Sequence, residues 1–261
     1  MGTKFSTRVW VSVVGIASIF FGSKGYADTV ISVADFGLKP DTRENAVAYV
    51  QKAIEACRGK EPVTLVFPEG RYDFWPQYAH EKNYYETNTY DVFPKRLAML
   101  FEGLHNITVD GSGSQFVMHD RIQPITVENC DGVTLKNFSI DWDIPLTAQA
   151  RVTKVGSDFF EIEINVLESP YIIEDGKLVF VGEGWKSALG SMIEFESDTH
   201  FVVPGTGDLV LGWNWGDYTA VSPRYGIVRL SRKGGFERYP AEGNWLVLRH
   251  STRDHAGIFI C

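Results

Sequence analysis

Two stretches of this 261-residue chain, FEGLHNITVDGSGSQF (101–116) and VENCDGVTLKNFSIDW (127–142), carry one pattern twice. Ile107, Thr108 and Val109 align with Val133, Thr134 and Leu135, Asn106 with Gly132, and Glu102 with Glu128, an offset of 26 residues. A repeat in the twenties with β-type alternation marks a solenoid. One copy cannot bury its own apolar face, so copies stack, with equivalent residues roughly 4.8 Å apart. The spacing predicts a parallel β-helix with Ile107/Val133 and Val109/Leu135 inside and Thr108/Thr134 outside. Asn137 and Gly111–Gly113 fall where each coil must bend.

The flanking segments fit that reading. Val47, Val50, Ile54 and Cys57 recur at three- and four-residue spacing and predict an amphipathic helix, with Asp41 and Glu44 as a capping pair. A helix across the open end of a coil stack would cover its apolar surface. VTLVF then alternates as a strand with Val63, Leu65 and Phe67 on one face, and Pro68-Glu69-Gly70 turns the chain. From about Ala148 the repeat stops. ARVTKVG, FFEIEIN, KLVFVGEG, MIEFESD, LVLGWNW, YGIVRLS and NWLVLRH read as short alternating strands separated by turns, a β-barrel-like module inserted between coils. A separate C-terminal sandwich is the alternative. Gly257–Ile260 again reads as a coil strand, comparable with Pro124–Val127, and the halt at Cys261 suggests a truncated solenoid.

The N-terminus reads as an export signal: Lys4 and Arg8, an apolar run from Val9 to Gly22, and small residues at Gly25 and Ala27. A membrane anchor is the alternative, but the apolar run is short for a span. Cleavage after Ala27 would remove Lys4, Arg8 and Lys24 and no acid, taking the net charge from −8 to −11. Such a balance excludes a typical nucleic-acid binder and suits a neutral ligand such as a sugar. Cys57, Cys130 and Cys261 form no disulfide framework or zinc motif, and Cys130, aligned with Leu104, reads as a small buried hydrophobe. The six histidines make no HxH or HExxH pair, so no metal is expected.

VADFG, a helix and VFPEGRY resemble the opening of pectin-lyase-like, right-handed β-helix enzymes. RYDFWPQYAHEKNYYETNTYDVFPKRLAMLFEGLHNITVDGSGSQF, LKNFSIDWDIPLTAQARV and LRHSTRDHAGIFI resemble glycoside hydrolase family 110, the bacterial α-1,3-galactosidases, from about Ile31 onward. The resemblance implies an all-β protein: a right-handed parallel β-helix with an N-terminal capping helix and an inserted β-barrel-like module. The expected division is 1–27 signal peptide, 28–147 β-helix coils, 148–248 barrel-like module and 249–261 return to the β-helix. It further implies an inverting exo-α-1,3-galactosidase needing no metal or cofactor, acting on α-galactosyl glycans outside the cytoplasm: periplasmic, surface-held or secreted. The chain would hold no stable membrane span after cleavage.

Inversion needs two carboxylates roughly 6.5–9.5 Å apart. Asp141 and Asp143, at i and i+2, would share one strand face about 6.5–7 Å apart. That suits an acid–base pair, a sugar-hydroxyl clamp or a solvated coil exit. Arg253, Asp254 and His255 cluster where the module returns to the coils, as substrate contacts or a junction salt bridge. Trp213 and Trp215 put two indoles on one strand face, for sugar stacking or for a barrel core. The family's catalytic carboxylates are expected beyond Cys261, so no catalytic residue is assigned. A carbohydrate-binding or structural β-helix without turnover is the competing class. A pectin-degrading enzyme is disfavoured, since Val109-Asp110-Gly111 lacks the later Asn-Thr-Asp, Asp-Asp, Gly-His-Gly and Arg-Ile-Lys motifs.

Overall fold

A computed structural model describes residues 29–85, 93–205, 218–249 and 256–261. In chain order its elements are β1 (Thr29–Ser32), α1 (Val47–Cys57), β2 (Val63–Val66), β3 (Arg71–Phe74), β4 (His80–Lys82), β5 (Lys95–Glu102), β6 (His105–Met118), β7 (Gln123–Glu128) and β8 (Asp131–Trp142). There follow β9 (Ala148–Val155), β10 (Phe159–Ile164), β11 (Tyr171–Glu174), β12 (Lys177–Gly182), β13 (Trp185–Ala188), β14 (Ser191–Phe195), β15 (Tyr218–Arg224), β16 (Ile227–Arg232), β17 (Trp245–Arg249) and β18 (Ile258–Ile260). Among the described residues the structure is all-β apart from α1 and one 3₁₀ turn at Val33–Phe36. Two compact units result, one before Trp142 together with β18, the other beginning at Trp142.

In the first unit the repeat becomes strand register. β5 and β7 run parallel with Leu97 beside Gln123 and Glu102 beside Glu128, the 26-residue offset read from the sequence. β18 continues this sheet, pairing Ile258 with Ile125 and Ile260 with Val127. The likeness of Gly257–Ile260 to Pro124–Val127 is thus the register itself. The neighbouring sheet orders β1-β2-β6-β3, with β8 also on β6. Long β6 turns a corner: Ile107–Asp110 pair with β2, and Gln115–Met118 with β3. Here the offset is 44 residues.

Alternation decides which side chains go inside. Val63, Leu65, Phe67, Ile107 and Val109 are buried, whereas Val133 and Leu135 of β8 are half-buried and Thr134 is exposed. Phe116 gathers Phe67, Tyr72, Phe74 and Phe138 around it, with centroids 4.7–6.2 Å away. Each such ring contributes about 1.5–3 kcal/mol of transfer free energy. Gly111 has no room for a side chain: a Cβ there would stand 2.5 Å from the Phe138 Cβ and 2.6 Å from the Asn137 carbonyl oxygen. Asn137 occupies the left-handed region at φ 60 and donates from Nδ2 to Asp110, so the bend forms where the sequence placed it.

The helix stripe holds, with Val47, Val50, Ile54 and Cys57 all buried. Its expected cap does not. α1 begins after Ala46 without a side-chain cap, and the Val47 N–H is taken by Asn45 Oδ1. Asp41 instead accepts the Arg71 N–H, 30 residues away, so a tertiary contact wins over the local cap. A capping box does occur earlier, between Ser32 and Asp35. Cys57 is buried, and burial pushes its thiol up to about 11. Cys130 departs from the buried-hydrophobe expectation: it is half-buried and hydrogen-bonded, accepting the Leu104 N–H and facing the Phe101 and Glu128 carbonyls.

The second unit is antiparallel. Six strands order β14-β17-β9-β10-β16-β15, and β11-β12-β13 form a smaller sheet. Inward residues of both sheets, among them Val152, Phe160, Ile162, Phe180, Leu230 and Leu248, share one core. β11, β13 and β15 lie outside the strands read from the sequence. LVLGWNW (209–215) lies outside the described residues, as does the expected signal segment.

Candidate functional site

Of the residues singled out in the sequence, Asp141 and Asp143 fall among the described ones. Asp141 and Asp143 are exposed, but β8 ends at Trp142, so Asp143 lies past the strand that was to set their spacing. Trp213, Trp215, Arg253, Asp254 and His255 lie outside the described residues. The organised polar chemistry of the first unit lies elsewhere, in two clusters.

The first is a clamp at the ends of β5 and β7. Parallel register sets Glu102 directly beside Glu128. Lys82, at the end of the antiparallel edge strand β4, reaches both carboxylates at 2.6 Å. Tyr84 donates its hydroxyl to Glu128 and packs its ring 5.2 Å from Phe259. Residues 80–84 therefore strap across β5, β7 and β18. Hydrogen bonds from Lys82 and then Tyr84 outweigh burial and hold the Glu128 carboxyl below its ordinary range. Burial works against the Lys82 charge, but the two carboxylates outweigh it and its pKa rises. Burial and the Glu128 contact both push the Tyr84 phenol up. A cleft of about 190 Å³ opens beside the clamp, lined by Gln51 and Glu55 of α1, Arg58 just after it, His80 and Lys82 of β4, and Glu102. Arg58 donates to the Glu102 carbonyl at 2.8 Å and pairs with Glu55 at 2.6 Å, tying helix to sheet.

The second cluster centres on Asp73, whose side chain is fully buried. Burial alone would raise this carboxyl, but the Arg71 and His119 hydrogen bonds outweigh it and hold it low. Arg71 engages it through Nε at 3.0 Å and Nη2 at 2.6 Å. An ionised carboxylate only accepts, so the His119 Nε2 at 2.8 Å carries the proton. Trp75 stacks on the imidazole at 3.7 Å, with the planes 13° apart. The charge is matched and closed in, as a buried ion must be to be tolerated.

Chemically, both clusters are anchors. Lys82 bridges Glu102 and Glu128 at 2.6 Å to each, so a cation stands where an inverting pair needs a water. A general acid needs a raised pKa. Asp73, Glu128 and Asp110, the last held by Ser112, Asn137 and Lys136 against the effect of burial, are instead all kept ionised. The cleft can present forked donors and acceptors to a hydroxyl-rich ligand. Sequence reasoning noted Glu102 facing Glu128 but missed the clamp, because HEK (80–82) has no alternation to announce an edge strand.

Comparison with known proteins bears on both units. Residues 148–246 match the GLAA-B beta-barrel domain I family. Over 236 residues, 90% of this chain, the sequence is 58% identical to alpha-1,3-galactosidase B of Bacteroides thetaiotaomicron, of which it covers 38%. It is 33% identical to alpha-1,3-galactosidase A of Shewanella woodyi over 86% of this chain and 36% of that protein. It is 31% identical to alpha-1,3-galactosidase B of Parabacteroides distasonis over 97% of this chain and 41% of that protein. The chain thus spans about two fifths of the length of these curated relatives. Among the described residues no helix is long and apolar enough to cross a membrane.

Proposed function

Because this chain belongs to the α-1,3-galactosidase family, glycoside hydrolase family 110, we propose that it serves an exo-acting hydrolase that removes terminal α-1,3-linked galactose from glycans with inversion. The observation that carries this reading is the 58% identity spread over nine tenths of the chain, which spans both units. The fold proposed with it is a right-handed parallel β-helix capped by α1, interrupted by the barrel-like module over 148–248 and resumed at 249–261. The 26-residue register of β5 on β7, and the return of β18 to β7, support that winding. Export through a signal peptide over 1–27, to the periplasm, surface or medium, completes the proposal; a net charge of −8 is consistent with a neutral glycan partner and not with nucleic acid.

The mechanism places one carboxylic acid on the leaving oxygen and one carboxylate on a water at the opposite ring face. Glu128 and Asp73 are excluded from the acid role by their bound cations and lowered pKa values, and Glu102 shares the Lys82 cation with Glu128. Their part is to hold the rungs in register. The test is incubation of the purified chain with galactosyl-α-1,3-galactose, following free galactose by NMR. Release of β-galactose ahead of its α anomer supports inversion; α-galactose first overturns it. Binding without release supports the second reading, a glycan-binding protein without turnover, which the clamped carboxylates favour.

A further inference from the structure

The second unit carries a groove that the hydrolytic reading does not use. It measures about 430 Å³, within the range of small-ligand sites, and lies between β11 and the β15–β16 hairpin. Val166, Pro170 and Ile172 supply an apolar floor; Tyr171, Ser222 and Tyr225 bring hydroxyls. None of its seven lining residues is charged.

The backbone holds this surface still. β15 bulges between Val221 and Arg224, where Pro223 interrupts the ladder. The Ser222 hydroxyl faces the Arg224 and Ile227 carbonyls at 3.1 and 3.0 Å and lies 3.4 Å from the Tyr171 hydroxyl. Arg224 pairs with Ile227, so Tyr225-Gly226 is a two-residue turn, with Gly226 at φ 77. The Gly226 carbonyl accepts the Ile164 N–H at 2.8 Å, which pins the turn to the end of β10. Tyr225 is 83% exposed on this anchored turn. An aromatic ring shown to solvent on a fixed backbone loses little entropy when a ligand stacks on it.

We propose that this groove is a binding site for a neutral galactosyl unit; the inference rests on the galactosyl-substrate reading above. The axial 4-hydroxyl of galactose leaves a continuous C–H patch over C3, C4 and C5 on one ring face. That patch fits an aromatic ring, while the remaining hydroxyls meet Ser222 and the tyrosines. A protein partner fits less well, since a stable interface engages about 20–30 residues a side. Seven line this groove.

The test uses the full chain and the sulfur-linked analogue of galactosyl-α-1,3-galactose, which resists hydrolysis, with saturation-transfer NMR and titration. Saturation should concentrate on H3, H4 and H5 of galactose, and Tyr225→Ala should weaken binding about tenfold. Because Tyr225 is so exposed, that variant should keep the parent melting temperature. Lys136→Met, in the first unit, should leave this binding unchanged. Affinity blind to Tyr225→Ala overturns the site, as does equal affinity for the glucosyl 4-epimer. A chain that releases galactose yet ignores Tyr225→Ala keeps the hydrolase reading and loses this one. A chain that releases none but loses binding on Tyr225→Ala does the reverse. Self-association that Tyr225→Ala abolishes, without any sugar effect, also overturns it.

Discussion

In the first unit β5 meets β7 in parallel across a 26-residue offset, and like falls on like: Glu102 on Glu128, Phe101 on Val127. In the second, β9 meets β10 antiparallel across the short turn Gly156-Ser157-Asp158, and complementary partners come face to face. Glu161 lies opposite Arg229 and pairs with it directly. Parallel stacking therefore builds columns of one chemistry. That strengthens an aromatic column such as Phe116 and Phe138, and it makes a carboxylate column depend on a cation brought from outside, which is the place of Lys82. The antiparallel sheet answers its charges within the ladder.

The contrast can be broken by perturbing each unit alone. Phe116→Ala removes the ring at the centre of the first unit's aromatic cluster and should cost about 3–5 kcal/mol. Protection from hydrogen exchange should fall in β2, β3 and β6 while β9, β10 and β16 keep theirs; equal loss in both units would end the distinction. Gly111→Ala should cost about 1–3 kcal/mol, since its Cβ meets Phe138 and backbone at 2.5–2.6 Å. Chemical denaturation would register that loss, and a neutral result would mean that the bend yields.

Acid separates the units next. Asp73, Asp110 and Glu128 have lowered folded-state pKa values. Each contributes stability that is present above the unfolded carboxyl range of about 4 and is lost as pH falls through the folded value. Exchange measured from pH 6 to pH 3 should show the first unit loosening before the second. Asp73→Asn should flatten part of that dependence. Lys82→Met should cost no more than about 1 kcal/mol, because the pair is partly exposed and screened, and its penalty should shrink as acid neutralises Glu128. The smallest change is Lys186→Ala. Its pair with Glu174 is about half exposed on both sides, and loss of it should shift stability by at most a few tenths of a kcal/mol.

Much of the first unit was legible because periodicity and register share one cause. The 26-residue repeat, the Val63/Leu65/Phe67 face, the helix stripe and the bend at Asn137 all follow from which residues must face inward. The Asp41–Glu44 cap failed because Asp41 had a distant backbone partner no local pattern reveals. The clamp and the Asp73 cluster were hidden for the same reason: Lys82 lies 46 residues from Glu128, and His119 lies 46 from Asp73. Asp141 and Asp143 drew attention by spacing alone, and spacing set no strand boundary. Periodicity reports what is buried in common; it is silent on polar groups that meet once.

β18 has a consequence for how the molecule assembles. Ile258 docks beside Ile125, 133 positions earlier, so two neighbouring strands of one sheet are separated by the entire antiparallel unit. For a flexible tether, closing that interval costs about 1.5 kcal/mol more than closing 26 residues. The intervening sheets, once folded, replace most of that slack with ordered chain. During synthesis β7 therefore keeps one edge open until everything between has emerged, and insertions within the second unit should be read first as delays in sealing the first.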